Sequence, residues 1–356
     1  MSALPAGETW PIDANTREGT LYRPLDGLRV ECYACGHRCR IGDNRRGICQ
    51  VRYNKGGRLF VPSGYFAAVH PDPIEKKPFF HAMPGARAMS FGMLGCDYHC
   101  AYCQNWLTSQ TLRDRDALDP METCDPEDFV DLAIAGNASV VTSTYNEPLI
   151  TSEWAVEIFK LARTRGLVTS YVSNGNGTPE VIEYLAPWVD LFKVDLKSFS
   201  DASYRQLGGV LQRVLDTIID IHKRGIWIEI VTLVVPGLND SETELREIAS
   251  FVAGVSPDIP WHVSAFHPDY KMTDRAPTSA GSVIRAAEIG KECGIRFVYA
   301  GNIPGQAGRY EHTVCPKCGE LLIERAGYVV RKNNLQSGMC PACSAVIPGY
   351  WRHRAL

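Results

Sequence analysis

Nothing in this sequence approaches the roughly 18 to 20 consecutive apolar residues that a membrane-spanning helix needs. Its start, MSALPAGETWPIDANTREG, does not set a basic stretch before an apolar one, so no secretory leader is expected. An excess of positive charge is missing too. The 37 Lys and Arg against 40 Asp and Glu leave a formal charge of −3. That balance argues against bulk electrostatic binding to nucleic acid or an anionic membrane. The basic pairs Arg45–Arg46 and Lys76–Lys77 are expected to be solvated surface. A disulfide framework is absent as well. Of thirteen cysteines, all but Cys124 and Cys293 fall into three groups with metal-ligand spacings. Metal binding in a reducing cytoplasm is the expectation.

What is present can build a large core: 45% of the 356 residues are hydrophobic and 22% are charged. The chain is organised around CDYHCAYCQNW, which spaces Cys96, Cys100 and Cys103 as C-x3-C-x2-C. Three thiolates hold three corners of a [4Fe-4S] cube and leave one iron open. The rival is a zinc site with His99 as fourth ligand.

A second group, Cys32, Cys35, Cys39 and Cys49, is compatible with zinc through its C-x-x-C-G turn. Its compact single loop suits an iron–sulfur cluster equally. The third group, Cys315, Cys318, Cys340 and Cys343, sets two C-x-x-C turns on a zinc-ribbon pattern, with LLIERAGYVVRKNN alternating as strands between them. A unit of about forty residues needs such a staple.

Residues 1 to about 25 read as an extended arm, and 57–70 as a short hairpin. The four prolines of HPDPIEKKPFFHAMPG exclude regular structure there, so the stretch is expected to be a connection or a lid. From residue 86 onward, apolar β-branched runs recur at 88–94, 138–144, 167–173, 189–195, 226–235, 260–266 and 295–300. Between them lie helical patterns. Trp154, Ile158, Leu161 and Ala162 form one stripe. Thr178–Pro179 reads as an N-cap and first helical residue, and Ser241 with Glu244 as a capping box.

The fold expected is α/β: a full or partial (β/α) TIM-like barrel (86–305) between an N-terminal cysteine-rich segment (1–85) and a C-terminal zinc-ribbon-like domain (306–356). A doubly wound open sheet is the alternative. In either, the site lies at the C-terminal strand ends. Five of these runs carry polar residues there: Glu147 in TYNEP, Ser173 and Asn174 in SNG, Asp195 and Lys197 in DLK, the VPGLND turn, and His262 in the sixth strand.

The three-cysteine motif, with Tyr102 before its last cysteine, resembles the radical S-adenosylmethionine (SAM) superfamily. The ordered strand ends resemble pyruvate formate-lyase activating enzymes. That resemblance implies that Glu147 meets the SAM amino group and that Asp195 and Lys197 meet its ribose and carboxylate. Ser173 and Asn174 would line the pocket, with His262 near the adenosyl group. Tyr102 would stack or hydrogen-bond near the adenine. One departure is clear: Tyr145 and Asn146 stand where that family has two glycines.

The whole pattern, with DPIEKKP, GCxxxCxxCQNW, TYxEP and the paired cysteines of the tail, is similar to the AmmeMemoRadiSam-system radical SAM enzymes. The implied cofactors are a [4Fe-4S] cluster, SAM and zinc. The implied reaction forms a 5'-deoxyadenosyl radical that abstracts hydrogen from a small molecule, a peptide or a partner protein. An electron donor such as flavodoxin or ferredoxin is implied too. The opposing reading is a non-catalytic scaffold with zinc at all three cysteine groups.

Overall fold

The computed structural model describes residues 11–117 and 120–351; the first ten residues of the expected arm and the last five of the expected tail lie outside the described residues. One eight-stranded sheet dominates. Its strands are β1 (Ala68–Pro73), β2 (Arg87–Gly92), β3 (Val140–Ser143), β4 (Val168–Ser173), β5 (Leu191–Asp195), β6 (Trp227–Val234), β7 (Trp261–Ala265) and β8 (Val298–Gly301). Each of the seven apolar runs is therefore a strand. They lie side by side in chain order, β8-β7-β6-β5-β4-β3-β2-β1. β2 to β8 pair in parallel, and β1 joins β2 antiparallel.

Consecutive order decides against the doubly wound sheet, whose order reverses part-way. Right-handed crossovers that always step to the same side put the helices on one face, which is the winding of a (β/α) barrel. Among the described residues no pairing joins β8 to β1, so the sheet is open.

The helices follow their sequence signals closely. Ser152–Thr164 buries Trp154, Ala155, Ile158, Phe159 and Ala162. Thr178 caps Val181 N at 3.1 Å ahead of Pro179, an arrangement that contributes about 1 kcal/mol. Ser241 caps Glu244 N at 3.2 Å. Glu244 does not return the bond; its carboxylate accepts from Phe199 N at 2.8 Å instead. Only half of the expected capping box forms, because the side chain ties the turn after β5 to this helix.

Three N-terminal expectations change. The arm is not extended from residue 11: Pro11–Asn15 is a short 3-10 helix, and Thr16–Glu18 pairs with Arg58–Pro62. The hairpin is formed by Tyr53–Lys55 and Arg58–Pro62, earlier than expected, with Gly56 and Gly57 at positive φ between them. The proline-rich stretch begins as strand β1, with Pro71 and Pro73 in it. An edge strand tolerates the missing N–H groups.

Its continuation is no lid. Ile74, Phe79, Ala82 and Met83 pack on Ala88, Val140, Val168 and Leu191, near the starts of β2 to β5. Lys77 is buried rather than solvated, paired with Asp72 at 2.7 Å. Arg46 is likewise mostly buried against Asp13.

The tail forms an antiparallel sheet of Thr313–Val314, Leu321–Ala326 and Val329–Asn333. It has no core of its own: Cys315, Leu322, Ile323, Cys340 and Ile347 share one cluster with Phe80, Phe297 and Tyr299. Arg325, fully buried, donates to Phe80 O at 2.8 Å and Thr313 Oγ1 at 2.9 Å. The loop and the tail together stopper the base of the sheet.

Candidate active site

The three-cysteine loop leaves β2 at Gly95, whose φ is +94°. A Cβ there would lie 2.6 Å from Val51 Cγ1, so only glycine fits. Gly95 N donates to Thr108 O at 2.9 Å, and Gly95 O accepts from Glu147 N at 3.3 Å. The loop is thus pinned to the TYNEP turn. Cys100 is buried, and Cys96 and Cys103 are half-buried. Burial pushes Cys100 up to about 12 and Cys96 well above the usual thiol range. Thiolates here need positive charge, which metal centres supply.

The three sulfurs do not converge on a single ion, as the tail quartet does. That suits three corners of a cube, one iron for each sulfur. His99 is exposed, with its ring against Gly208, and is no part of this donor set.

Asp97 is a candidate site residue that the sequence pattern does not single out, although it sits inside the motif. It is completely buried. Asn174 Nδ2 and Asn176 Nδ2 each donate to it at 2.7 Å, and Cys96 Sγ lies 3.8 Å away. Next to it is Glu147, whose carboxylate accepts from Ser173 Oγ at 2.6 Å, Asn174 N at 2.7 Å and Leu149 N at 3.0 Å. Burial, then the Asp97 charge, raise Glu147 to about 8. Glu147, Ser173 and Asn174 are therefore brought together, on the Cys96 side.

The glycine departure proves instructive. Tyr145 keeps a left-handed backbone, φ +70°, the conformation that a glycine adopts freely. It costs a tyrosine about 1–2 kcal/mol. Its hydroxyl bonds with Asp72 at 3.1 Å and Lys77 at 3.0 Å, which hold the ring in place. Asn146 Oδ1 caps Met93 N at 3.1 Å.

On the Cys100 side stand Asp195 and Lys197, 3.1 Å apart, with Lys193 bonded to the same carboxylate. Burial alone would raise Asp195, but the two ammonium groups hold it at about 2. The buried Tyr102 shares this electrostatic environment with Cys100, Lys197 and Asp195. Asn239 of the VPGLND turn donates to Lys197 O at 2.7 Å, fixing the strand end. Lys193, inside an apolar run, was a legible signal that went unread.

His262 is the exception. It lies in β7 with its Nε2 2.7 Å from Glu229, stacked on Tyr299 and edge-on to Phe80. Its contacts among the described residues go to this base network and none to the Glu147 group.

In the tail, Cys315 and Cys343 sulfurs lie 3.6 Å apart, as do those of Cys318 and Cys340. All four donor atoms fall within 4.8 Å of one another. A tetrahedral shell with metal–sulfur bonds of about 2.3 Å has edges of about 3.8 Å, so this quartet suits one ion. The N-terminal quartet packs beside the strand ends: Gly36 N donates to Asn176 O at 2.7 Å, and Arg52 forms a buried pair with Glu153 at 2.7 Å.

Sequence comparison agrees with this geometry. The radical SAM superfamily profile matches residues 92–249, from the end of β2 past the VPGLND turn and short of β7. An uncharacterized protein of Methanocaldococcus jannaschii is 36% identical over 335 residues, 93% of this chain and 98% of that one. The chain belongs to the radical SAM superfamily. The pyruvate formate-lyase-activating enzyme of Clostridium pasteurianum is 26% identical over 208 residues, 54% of this chain and 84% of that protein.

A solved radical SAM methyltransferase from Sphaerobacter thermophilus shares the fold: TM-score 0.51 at 14% identity, covering 85% of this chain and 81% of that one. As a radical SAM protein with activating-enzyme relatives, it is an enzyme, and the superfamily implies a [4Fe-4S] cluster and SAM. Among the described residues no helix is long and apolar enough to cross a membrane.

Proposed function

We propose that this enzyme cleaves SAM reductively and uses the resulting 5'-deoxyadenosyl radical to abstract hydrogen from an unidentified substrate. The observation that carries the reading is the set of charged groups flanking the buried thiols, the Asp97 and Glu147 carboxylates beside Cys96 and the Lys197 ammonium, paired with Asp195, beside Cys100. SAM presents the matching amino and carboxylate groups. Cys96, Cys100 and Cys103 would hold the cluster, which when bound supplies the single electron for carbon–sulfur cleavage.

Glu147 would meet the ammonium through its remaining lone pairs, with Ser173 and Asn174 orienting it. Lys197 would meet the SAM carboxylate and Asp195 the ribose hydroxyls. Tyr102 closes the floor beside Cys100. His262 keeps an adenosyl role only through β7, since its ring is engaged with Glu229. The tail quartet would hold a structural zinc ion. We infer three units: 1–85, the radical SAM unit 86–305, and the tail 306–356.

The test is anaerobic reconstitution followed by assay of 5'-deoxyadenosine and methionine. Wild type should form both, and Cys100→Ala should fall to background. A wild type that keeps its cluster yet leaves SAM intact would sink the reading. Activation of a partner protein and modification of a small molecule or peptide both remain within it; because the tail stoppers the base, its deletion would unfold the protein rather than separate them. Transfer of deuterium from labelled candidate hydrogen donors into 5'-deoxyadenosine separates them instead.

A further inference from the structure

We propose that Cys32, Cys35, Cys39 and Cys49 hold a second iron–sulfur cluster beside the Cys96–Cys103 loop, rather than a single zinc ion. The tail supplies an internal gauge: four sulfurs that share one ion stand 3.6 Å apart in pairs and all within 4.8 Å. Among the described residues, no three donors of the N-terminal quartet reach that closeness. Yet the four are largely withdrawn from solvent: Cys32, Cys35 and Cys49 are buried and Cys39 is half-buried. Each is close enough to act electrostatically on others of the set.

Sulfurs gathered in one group without closing to the spacing of the tail quartet suit a polynuclear centre, in which each binds its own iron. The surroundings fit an anionic cluster. Ile48 N points at Cys39 Sγ from 3.5 Å, and the fully buried Arg52 guanidinium lies near Cys32 and Cys49. Hydrogen bonds to sulfur and nearby charge are the levers that set the potential of such a cluster.

The placement says what it is for. A Cβ on Gly95, next to Cys96, would sit 3.2 Å from Cys49 O. Asp97 Oδ2 lies 4.0 Å from His37 Nε2, which has no hydrogen-bond partner of its own. The Asp97 charge acts on Cys35 and Cys39 on one side and on Cys96 and Cys100 on the other. Asp97, Asn176 and the half-buried His37 lie between the two cysteine sets, beside the contact of Val51 and Cys49 O with Gly95. On its outer side the quartet reaches the surface at Ile48, 46% exposed.

This second centre relays one electron inward. A low-potential carrier of the flavodoxin or ferredoxin class gives it one electron, and it passes the same electron to the site at Cys96, Cys100 and Cys103. That role rests on the proposed SAM cleavage; the metal assignment does not.

The test is a metal count on the Cys96→Ala/Cys100→Ala/Cys103→Ala variant, reconstituted anaerobically with iron, sulfide and zinc all present. It should carry about four iron and four sulfide per chain, with an EPR signal on reduction that SAM leaves unchanged. A chain with zinc alone overturns the proposal. Should the triple variant fail to fold, the wild type decides. It should hold about eight iron and show two reduced signals, only one of them shifted by SAM, each broadened by the other. About four iron with one SAM-responsive signal, or two signals without mutual broadening, overturns it. These readouts do not require SAM to be cleaved, so loss of the catalytic reading leaves the metal assignment standing or falling separately.

Discussion

Glu147, in the turn after β3, and Glu229, in β6, are both buried glutamates, 2% and 0% exposed, and they behave in opposite ways. Glu229, at the base, accepts from Phe80 N at 3.0 Å, His81 N at 2.8 Å and Trp227 Nε1 at 3.0 Å, and pairs with His262. Burial would raise it, but His262 and the donors around it bring it below the usual carboxylate range. Glu147, at the mouth, has three donors and a second carboxylate, Asp97, for a neighbour. Burial and that neighbour raise it to about 8. The base carboxylate already has its counter-groups. Under the proposed function, the mouth carboxylate would take its counter-charge from the SAM ammonium.

This contrast can be broken in four ways. The largest effect is expected from Glu229→Ala, which strips the partner from a buried histidine and three other donors. It should cost about 3–5 kcal/mol of stability in denaturant titration. A cost under about 1 kcal/mol would show the base network to be no keystone.

Glu147→Gln keeps shape and most hydrogen bonds, so stability should change by less than about 1.5 kcal/mol. SAM affinity should drop by about 10–100-fold in equilibrium binding, the worth of a charged hydrogen bond. Unchanged affinity would remove Glu147 from the SAM site.

Lys197→Met should weaken SAM binding about tenfold while leaving the cluster spectrum in place. It should also let Asp195 rise from about 2, since one of its two ammonium neighbours is gone.

The smallest effect is in pH. An added cation favours ionised Glu147, so SAM affinity should climb about fivefold from pH 7 to 8 and about twofold more before levelling off. The Glu147→Gln variant should lose that component, and an identical slope in both proteins would assign the titration elsewhere.

Much of the sheet was legible because its strands are buried on both faces and read as continuous apolar runs. The tail quartet was legible because two C-x-x-C turns fix their own geometry locally. Asp97 was not. Its importance arises only when β4 brings Asn174 and Asn176 against the loop after β2, a meeting across about 77 residues that spacing does not encode. His262 read as a mouth residue from its place in the motif order, whereas its contacts lie at the base because Glu229, one strand over, faces the same interior. An acid in the middle of IWIEIVTLVV was the available sign of that partner. Pro71 and Pro73 misled because the rule against proline in strands lapses at an edge.

The stoppered base carries a consequence for traffic. With Phe79 and Met83 packed on the strand starts and the tail sharing its core with Phe80 and Tyr299, the base of the sheet is closed to passage. A molecule bound for the cysteine loop would therefore come from the strand-end side, or through the flank that β8 and β1 leave unpaired among the described residues. Under the proposed function, SAM and the molecule to be attacked would share that approach.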